Sequence, residues 1–328
     1  MAGALEPNPE PGGGRRRRGR APHRGSGDPA SLLHRDGGDL AVRVGWSAVD
    51  EEELAGPGGL VVTALKVTVA GATGWAGSAL ARGILGEGDL SLVSAVSRTH
   101  AGRSLGDALG LEDLDAPCYA SAEQALEHDP DVFVEYTKPD AAKAHALQAL
   151  DAGAHVVVGT SGLGVSDYEE IDEAARGVGL GVLAVGNFAL TAVLLQKFAE
   201  MAARYVPHWE LIDYAGSGKR DAPSGTAREL ANRLSSVGPS ALDVPLDEVA
   251  GPAGARGARL EGTQVHSVRL PGFVLSVDAV FGMPDQRLTI RHEAGSSAEP
   301  YVGGALLAIR KVVGLVGLHR GLDQVMEF

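Results

Sequence analysis

The residues best suited to chemistry lie between Lys219 and Ala227, in the run Lys-Arg-Asp-Ala-Pro-Ser-Gly-Thr-Ala. One ammonium group is followed by a proline turn, and the order of residues in Thr226–Glu229 predicts a capping box at a helix start. The first N–H groups of a helix lack intrahelical partners and carry partial positive charge, so this start favours a carboxylate ligand beside Lys219. An ordinary strand, turn and helix with a solvated lysine is the alternative interpretation.

A glycine-rich loop predicts a second site, for a dinucleotide. A predicted strand, Lys66–Ala70, precedes the pattern G-x-x-G-x-x-G, and a predicted helix, Ser78–Leu85, follows it. Glycine lets the chain turn tightly and lets a pyrophosphate approach the backbone, while the helix start supplies N–H donors. The expected cofactor-binding residues in this loop are Gly71, Ala72, Thr73, Gly74, Trp75, Ala76 and Gly77.

The end of the second predicted strand, Leu90–Val96, indicates which dinucleotide is preferred. An NAD-preferring domain carries an acidic residue there for the ribose hydroxyls, whereas this chain has Ser97 and Arg98. A serine and an arginine suit the 2′-phosphate of NADP, so we expect NADPH, with NADH as the alternative. A solvated arginine at a strand end is the other interpretation of Arg98.

Length, composition and charge limit the remaining possibilities. The chain has 328 residues, and 44% hydrophobic with 22% charged residues is typical of a globular protein with room for two domains. A net charge of −13 argues against nucleic-acid binding, although the run Arg15–Arg18 leaves a nucleic-acid arm open. A single cysteine, Cys118, excludes an intrachain disulfide and a cysteine-built metal site. With no apolar run long enough for a bilayer and no secretory signal, we expect a cytoplasmic protein that binds neither membrane nor metal.

The order of elements predicts an α/β fold, with a Rossmann-type parallel sheet followed by an α+β domain with a mixed sheet. Residues 1–64 show no hydrophobic period, so we expect a disordered extension, or one that is absent from the natural protein. Residues 65–205, with the tail 314–328, are predicted to form the first domain. Residues 206–313 are predicted to form the second, with antiparallel strands.

Three predicted strands of the first domain end in distinctive loops. These loops are Tyr136–Pro139, Gly159–Gly162 and Gly186–Phe188. Ligands of open α/β sheets bind at the carboxyl ends of the strands. We therefore expect the three loops to line one crevice together with the glycine-rich loop.

Together these features resemble the 4-hydroxy-tetrahydrodipicolinate reductase family, also called dihydrodipicolinate reductase, over residues 66–328. The most specific marker is Lys219-x-Asp221-Ala222-Pro223-Ser224-Gly225-Thr226. Supporting markers are the Tyr136–Pro139 and Gly159–Gly162 loops, Asn187-Phe188, and the predicted strands Val265–Arg269 and Thr289–His292. The resemblance implies that a homotetramer reduces a small dicarboxylate with NAD(P)H and releases water, in lysine and diaminopimelate synthesis.

The resemblance also implies a role for each domain and for particular residues. Residues 65–205, with 314–328, would bind the dinucleotide, and residues 206–313 would bind the substrate and form the tetramer. Lys219 is implied as the catalytic proton donor. The implied substrate-binding residues are Ser224, Gly225 and Thr226. Beyond the glycine-rich loop, the implied cofactor-binding residues are Arg98, Thr137, Gly159, Thr160, Ser161, Val185, Gly186, Asn187 and Phe188.

The segment just before Lys219 departs from the family. The family has two histidines there, one regarded as catalytic and one as a substrate contact, where this chain has Ala215 and Gly216. An arginine common in the later loop is also absent from residues 295–300. Three alternatives follow: Lys219 acts with help from Tyr214, Ser217 or water; the substrate is another small cyclic carboxylate; or the protein senses dinucleotides without catalysis.

Overall fold

The first sheet has seven strands, all parallel, in the order β12-β6-β5-β4-β1-β2-β3. Its strands are β1 Leu65–Ala70, β2 Leu90–Val96, β3 Cys118–Tyr119, β4 Val132–Glu135, β5 His155–Val158, β6 Gly181–Ala184 and β12 Gly317–Arg320. The computed structural model describes residues 63–328, so the predicted extension 1–64 lies outside the described residues apart from Thr63 and Ala64. The predicted Rossmann-type sheet is confirmed.

Helices cover both faces of this sheet. The helices of the described residues are α1 Trp75–Leu85, α2 Leu105–Leu109, α3 Ala122–Leu126, α4 Pro139–Asp151, α5 Val165–Val178, α6 Leu190–Ala203, α7 Gly225–Ser235 and α8 Glu299–Val312. Of these, α7 packs on the second sheet instead of the first. Strand β4 is buried along its whole length because one hydrophobic cluster lies on each side of it. Parallel strands sandwiched in this way end at a common edge, where ligands of such sheets bind.

The second sheet has five strands in the order β11-β10-β7-β9-β8. Its strands are β7 His208–Ala215, β8 Ala258–Leu260, β9 Thr263–Arg269, β10 Leu275–Met283 and β11 Gln286–Ala294. Burial alternates along β7, and its buried face packs on α6 and α7. The predicted mixed sheet is confirmed, but the expectation of antiparallel pairing is wrong for β7 and β9, which are parallel. A connection containing α7 and a long segment joins these two strands, and such a crossover lets the second strand run in the same direction as the first.

Helix α8 brings the chain back from the second sheet to the first. Val302 and Ile309 belong to the hydrophobic cluster that α1 also contributes to. Near its end, Arg310 donates to Asp89 at 2.7 Å and to Glu87 at 2.6 Å, next to the end of α1. Helix α8 is therefore fixed to the first sheet through both its apolar face and its last turn.

The carboxyl-terminal residues also contact the helices beside the second sheet. Asp323, whose side chain is 4% exposed, lies 2.7 Å from Nζ of Lys197 in α6 and accepts from Arg233 in α7 at 3.1 Å. These ion pairs connect the last turn of the chain to α6 and α7. Among residues 63–328, no helix combines the length and apolar character needed to cross a bilayer.

Candidate active site

The glycine-rich loop lies between β1 and α1, at the carboxyl edge of the first sheet. Gly71 has φ of +80°, and a side chain there would overlap the carbonyl of Tyr136. A side chain at Gly77 would overlap the carbonyl of Gly71, so glycine allows helix and strand to pack closely. Gly74 caps α1 without a side chain, and its nearest neighbour on the missing Cβ side is the Gly71 carbonyl at 3.1 Å. This arrangement fits a dinucleotide, because a tight turn, close packing and an open backbone approach are what the pyrophosphate loop requires.

A buried carboxylate holds together the two loops beside this helix start. Glu135, at the end of β4, is fully buried. Its Oε1 atom accepts from the backbone N–H of Thr137 at 2.7 Å, from the Thr137 hydroxyl, and from the Thr160 hydroxyl at 3.3 Å. Its Oε2 atom accepts from Nδ1 of His145. Glu135 and His145 were not identified from the sequence, although an acidic residue ending an apolar strand was the available signal.

These loops and the start of α1 line a cleft of about 350 Å³. The lining residues are Trp75, Ala76, Tyr136, Thr137, Pro139, Gly159, Thr160, Ser161, Gly186, Asn187, Phe188 and Tyr301. Gly159 leaves room for the ring of Tyr136, which packs edge-on against Phe188 at 5.5 Å between ring centroids. The Asn187 side chain accepts from the N–H of Ala189 at 2.9 Å and so fixes its loop.

The other predicted cofactor residues lie outside the lining of this cleft. Gly71, Ala72, Thr73, Gly74 and Gly77 form the adjacent loop, and Val185 is buried in the core. The Thr73 hydroxyl lies 2.8 Å from the hydroxyl of Ser97, which joins the loop to the end of β2. Arg98 is exposed immediately after that serine.

A second cleft, of about 300 Å³, lies at the start of α7. Its lining residues are Gly186, Asn187, Lys219, Ser224, Gly225, Thr226, Glu229, Leu275 and Tyr301. All four sequence-predicted catalytic and substrate-binding residues therefore line one cleft. The Nζ atom of Lys219 lies 2.9 Å from Asp221, and this hydrogen bond holds the pKa of Asp221 below its ordinary value. With the carboxylate ionised beside it, Lys219 is held in a defined place.

The start of α7 is built differently from the sequence prediction. The cap is Ser224, whose hydroxyl accepts from the N–H of Ala227 at 3.3 Å, and the helix begins at Gly225. Thr226 and Glu229 therefore lie inside the helix, and the predicted capping box at Thr226–Glu229 is wrong. A serine two residues earlier provides the acceptor that the first turn needs, so Thr226 remains free to face the cleft.

A buried ion pair supports this helix start from below. Asp213 in β7 is fully buried and accepts from the N–H of Ser224 at 2.8 Å and from Arg269 at 2.7 Å. Arg269 also donates to the carbonyl of Asp221 at 2.7 Å. The turn between Lys219 and α7 is thus fixed by two strands of the second sheet. A lone aspartate in a strand gives little indication of this role in the sequence, since its partner lies 56 residues away.

The two clefts share the wall formed by Gly186, Asn187 and Tyr301. The cleft beside the start of α1 and the cleft lined by Lys219 are therefore neighbours on either side of this wall. Tyr301 lines both clefts and Glu229 lines the second one. Neither is predicted as a site residue, because Tyr301 lies in no motif and Glu229 is assigned only to a capping box.

The segment that departs from the family contributes no side chain to either cleft lining. Ala215 is fully buried at the end of β7, and a side chain at Gly216 would come within 3.2 Å of the Phe273 carbonyl. Tyr214 donates to Asp278 at 3.3 Å on the neighbouring strand, and Ser217 is exposed in the turn. The hypothesis that Tyr214 or Ser217 assists Lys219 finds no support in this geometry.

A cavity of about 510 Å³, larger than either cleft, lies elsewhere, on the second sheet. Glu210, Arg256 and His266 line it, and none of the predicted site residues does. His266 is 2.6 Å from Glu210, so this histidine is engaged in the sheet. Among residues 63–328, no group of three or more His, Cys, Asp or Glu side chains is arranged to hold a metal ion. The shared clefts, rather than the larger cavity, combine the groups suited to chemistry.

Comparison with known proteins identifies the family. The family model described as dihydrodipicolinate reductase, N-terminus, matches residues 65–188, and the one described as dihydrodipicolinate reductase, C-terminus, matches residues 191–326. The chain belongs to the dihydrodipicolinate reductase family. Its members include the 4-hydroxy-tetrahydrodipicolinate reductase of Geobacillus thermodenitrificans, 37% identical over 80% of this chain and 99% of that protein. The corresponding protein of Moorella thermoacetica is 39% identical over 82% of this chain and 100% of its own length.

Solved structures agree with the family assignment. A dipicolinate-bound dihydrodipicolinate reductase from Paenisporosarcina sp. TG-14 superposes with a TM-score of 0.73 at 29% identity, over 80% of this chain and all of that one. An amine dehydrogenase from Mycobacterium smegmatis gives a TM-score of 0.57 at 16% identity, over 80% of this chain and 96% of that one. The second likeness concerns the fold alone. The chain is an oxidoreductase of the dihydrodipicolinate reductase family with a dinucleotide-binding fold.

Proposed function

We propose that this protein reduces 4-hydroxy-2,3,4,5-tetrahydrodipicolinate to tetrahydrodipicolinate with NAD(P)H and release of water, in lysine and diaminopimelate synthesis. The observation that carries the proposal is the shared wall between the two clefts. It makes the cleft beside the glycine-rich loop and the cleft lined by Lys219 and the start of α7 direct neighbours. The family membership supplies the reaction class.

The cleft at the start of α7, called the substrate cleft from here on, suits a small dicarboxylate. Gly225 and Thr226 present the first N–H groups of α7, where partial positive charge favours a carboxylate. Lys219 adds an ammonium group that attracts the dianion and supplies the proton of the reaction. In this family the histidines before the lysine share these tasks, and here Ala215 is packed into the sheet instead. Lys219 is therefore the proton source that the proposal names.

The cleft beside the start of α1, called the cofactor cleft from here on, suits the nicotinamide end of the dinucleotide. Thr137, Thr160 and Asn187 offer polar groups beside the Tyr136 and Phe188 rings, which exclude water. The glycine-rich loop and the start of α1 hold the pyrophosphate. When bound, the dinucleotide supplies the hydride, and the protein positions it against the substrate.

Lys219 provides the central test of this function. Wild-type protein is mixed with freshly generated 4-hydroxy-tetrahydrodipicolinate, and NADPH oxidation is followed by absorbance. We expect turnover by the wild type, a fall in kcat of about 100-fold or more in Lys219→Ala, and near wild-type rates in Arg220→Ala, a matched change of the neighbouring exposed cation. Failure of the wild type to oxidise NADPH with this substrate contradicts the proposed function.

We further propose NADPH as the preferred cofactor, with NADH also accepted. The exposed Arg98 directly follows Ser97, which is tied to the glycine-rich loop through Thr73. A guanidinium there favours a 2′-phosphate. Arg98→Ala is expected to raise the KM for NADPH more than the KM for NADH, while Arg204→Ala, at an exposed arginine after α6, changes neither. Equal effects of Arg98→Ala on both cofactors would refute the phosphate contact.

The proposal divides the chain into two working parts. Residues 65–205, with 314–328, bind the dinucleotide, and residues 206–313 bind the substrate and form a homotetramer. The outer face of the second sheet, where Leu288 is 46% exposed, supports self-association through that sheet. A cytoplasmic location is part of the proposal, supported by a single buried thiol, Cys118. Sedimentation velocity tests the tetramer.

A second candidate is reduction of a different small cyclic imine carboxylate. Glu229 places a carboxylate in the substrate cleft, and no histidine stands at 215 or 216. Both features favour a substrate with less negative charge than a dicarboxylate. The same assay with cyclic imine monocarboxylates distinguishes the candidates, since the second predicts a higher kcat/KM for these compounds.

A further inference from the structure

Tyr301 lies at the boundary between the two clefts. It is the third residue of α8, and with Gly186 and Asn187 it lines both the cofactor cleft and the substrate cleft. Tyr301 alone in this shared wall carries a phenol, which can donate a hydrogen bond. A ligand that spans the boundary would lie beside this residue.

Close packing holds the first turns of α8, which carry Tyr301, against a loop of the clefts. A side chain at Gly304 would overlap the carbonyl of Phe188, so α8 lies directly against the loop that lines both clefts. Tyr301 is three residues before Gly304 and therefore lies on the same helix face, one turn nearer the cleft. Its ring also packs edge-on against Trp75, with 5.6 Å between ring centroids and an interplanar angle of 66°. The phenol is held in place from two sides.

Three polar side chains of the substrate cleft, those of Ser224, Lys219 and Glu229, have partners of their own. The Ser224 hydroxyl accepts from the N–H of Ala227, Lys219 lies 2.9 Å from Asp221, and Glu229 lies 3.4 Å from Arg233. Residues 215–218 add no side chain to the cleft lining. Tyr301 adds a phenol to the wall that this cleft shares with the cofactor cleft.

We propose that the Tyr301 hydroxyl donates a hydrogen bond to the bound carboxylate substrate where it meets the nicotinamide. Tyr301 is thus a substrate-binding residue supplied by α8, from outside the Lys219–Thr226 stretch. The hydrogen bond orients the substrate between Lys219 and the dinucleotide, and no proton is transferred through it. This inference rests on the proposed function of the site.

The test compares wild type, Tyr301→Phe and Tyr205→Phe. The first variant removes one hydroxyl and keeps the ring against Trp75, and the second makes the same change at a tyrosine that is 79% exposed after α6. For each protein, titration calorimetry gives the Kd for NADPH and then, with NADPH bound, the Kd for pyridine-2,6-dicarboxylate as a stable probe. Turnover gives KM and kcat separately.

We expect Tyr301→Phe to weaken binding of the dicarboxylate about 10-fold or more, the effect of losing one hydrogen bond to a charged acceptor. The Kd for NADPH and the melting temperature stay at wild-type values, and Tyr205→Phe behaves as wild type throughout. Dicarboxylate binding within twofold of wild type in Tyr301→Phe overturns the inference. An equal rise in the Kd for NADPH also overturns it, because the hydroxyl would then serve the cofactor or the fold.

The two proposals fail in different ways. A wild type that binds pyridine-2,6-dicarboxylate without turning over the hydroxy-substrate contradicts the proposed function, while the comparison with Tyr301→Phe still decides the role of the hydroxyl. If the wild type turns over the substrate and its KM equals that of Tyr301→Phe, the inference about Tyr301 is contradicted and the proposed function is not. A wild type with no affinity for the dicarboxylate contradicts both.

Discussion

The Nδ1 atom of His145 lies 2.7 Å from Oε2 of Glu135, a carboxylate with no exposed surface. The histidine is on α4 and the glutamate ends β4, so the pair ties the helix to its strand. The other carboxylate oxygen accepts from Thr137 and Thr160. One buried charge therefore sets the spacing of two loops of the cofactor cleft.

Replacement of this charge is predicted to loosen both loops. Glu135→Gln keeps the size of the side chain but turns an N–H towards groups that are themselves donors. We expect the free energy of unfolding to fall by about 1–3 kcal/mol and the Kd for NADPH to rise several-fold. Urea unfolding and fluorescence titration measure the two effects. Glu123→Gln, at an exposed position in α3, is the control. An unchanged Kd for NADPH in Glu135→Gln would contradict the role of Glu135 in positioning the two loops.

Addition of one methyl group in the glycine-rich loop is predicted to disrupt cofactor binding. In Gly77→Ala the new Cβ overlaps the Gly71 carbonyl, so α1 must move away from β1. We expect a loss of about 1–3 kcal/mol in stability from overpacking and a clear rise in the Kd for NADPH. Gly177→Ala, in a helix where the added Cβ meets no atom within 4 Å, is expected to be neutral or stabilising. Similar NADPH binding by the two variants would contradict the packing argument.

The charge of Glu229 provides a test of substrate charge. Its carboxylate lines the same cleft as Lys219 and opposes a dianionic ligand. Glu229→Gln is predicted to lower the KM for a dicarboxylate by about 2- to 5-fold at low salt, with a smaller effect at high salt. Glu173→Gln, at an exposed position in α5, is the matched control. A higher KM in Glu229→Gln would instead support a substrate that carries a positive group.

The contribution of Asp323 is predicted to depend on pH. Burial alone raises its pKa, but the hydrogen bonds and charges of Arg233 and Lys197 outweigh that effect and lower it below the ordinary value of 3.8. Because the folded-state pKa is the lower one, the stabilisation is present above pH 3.8 and is lost as pH falls through the folded-state pKa. We expect Asp323→Asn to lower the free energy of unfolding at pH 7 by about 2 kcal/mol.

Urea unfolding of wild type and Asp323→Asn between pH 7 and pH 3 measures this dependence. The difference between the two proteins should shrink towards the acid end. Asp113→Asn, at an exposed position, serves as the control for a general loss of negative charge. A difference that stays constant over the whole range would show that the ion pairs with Asp323 contribute nothing through their charge.

Local patterns in the sequence predict much of this fold. The strand at β1, the G-x-x-G-x-x-G loop and α1 follow one another within about twenty residues, so their hydrophobic period and glycines suffice. The helix start at α7 was predicted two residues late, because Thr226 and Ser224 both have capping side chains. The parallel pairing of β7 with β9 depends on how a long crossover returns to the sheet, and no local pattern records that path.

Sequence patterns likewise predict some residues of the candidate site and not others. Lys219, Ser224, Gly225 and Thr226 lie in one motif and share one cleft in the structure. Tyr301 reaches that cleft from α8, more than 70 residues after Thr226, and Arg269 supports the cleft from a strand 56 residues after Asp213. Contacts of this kind are set by tertiary packing and leave no periodic or spacing signal in a single sequence.

The attachment of α8 to the first sheet has a consequence for engineering. Its Gly304 abuts the Phe188 loop and its Arg310 pairs with Asp89, although the helix follows the second sheet in the chain. A chimera could take its amino-terminal half, up to the junction of α6 and β7, from this protein and the rest from a relative. It would contain one wall of the cofactor cleft but not Tyr301. Modular recombination of this protein with its relatives must therefore carry residues 299–328 together with the amino-terminal half.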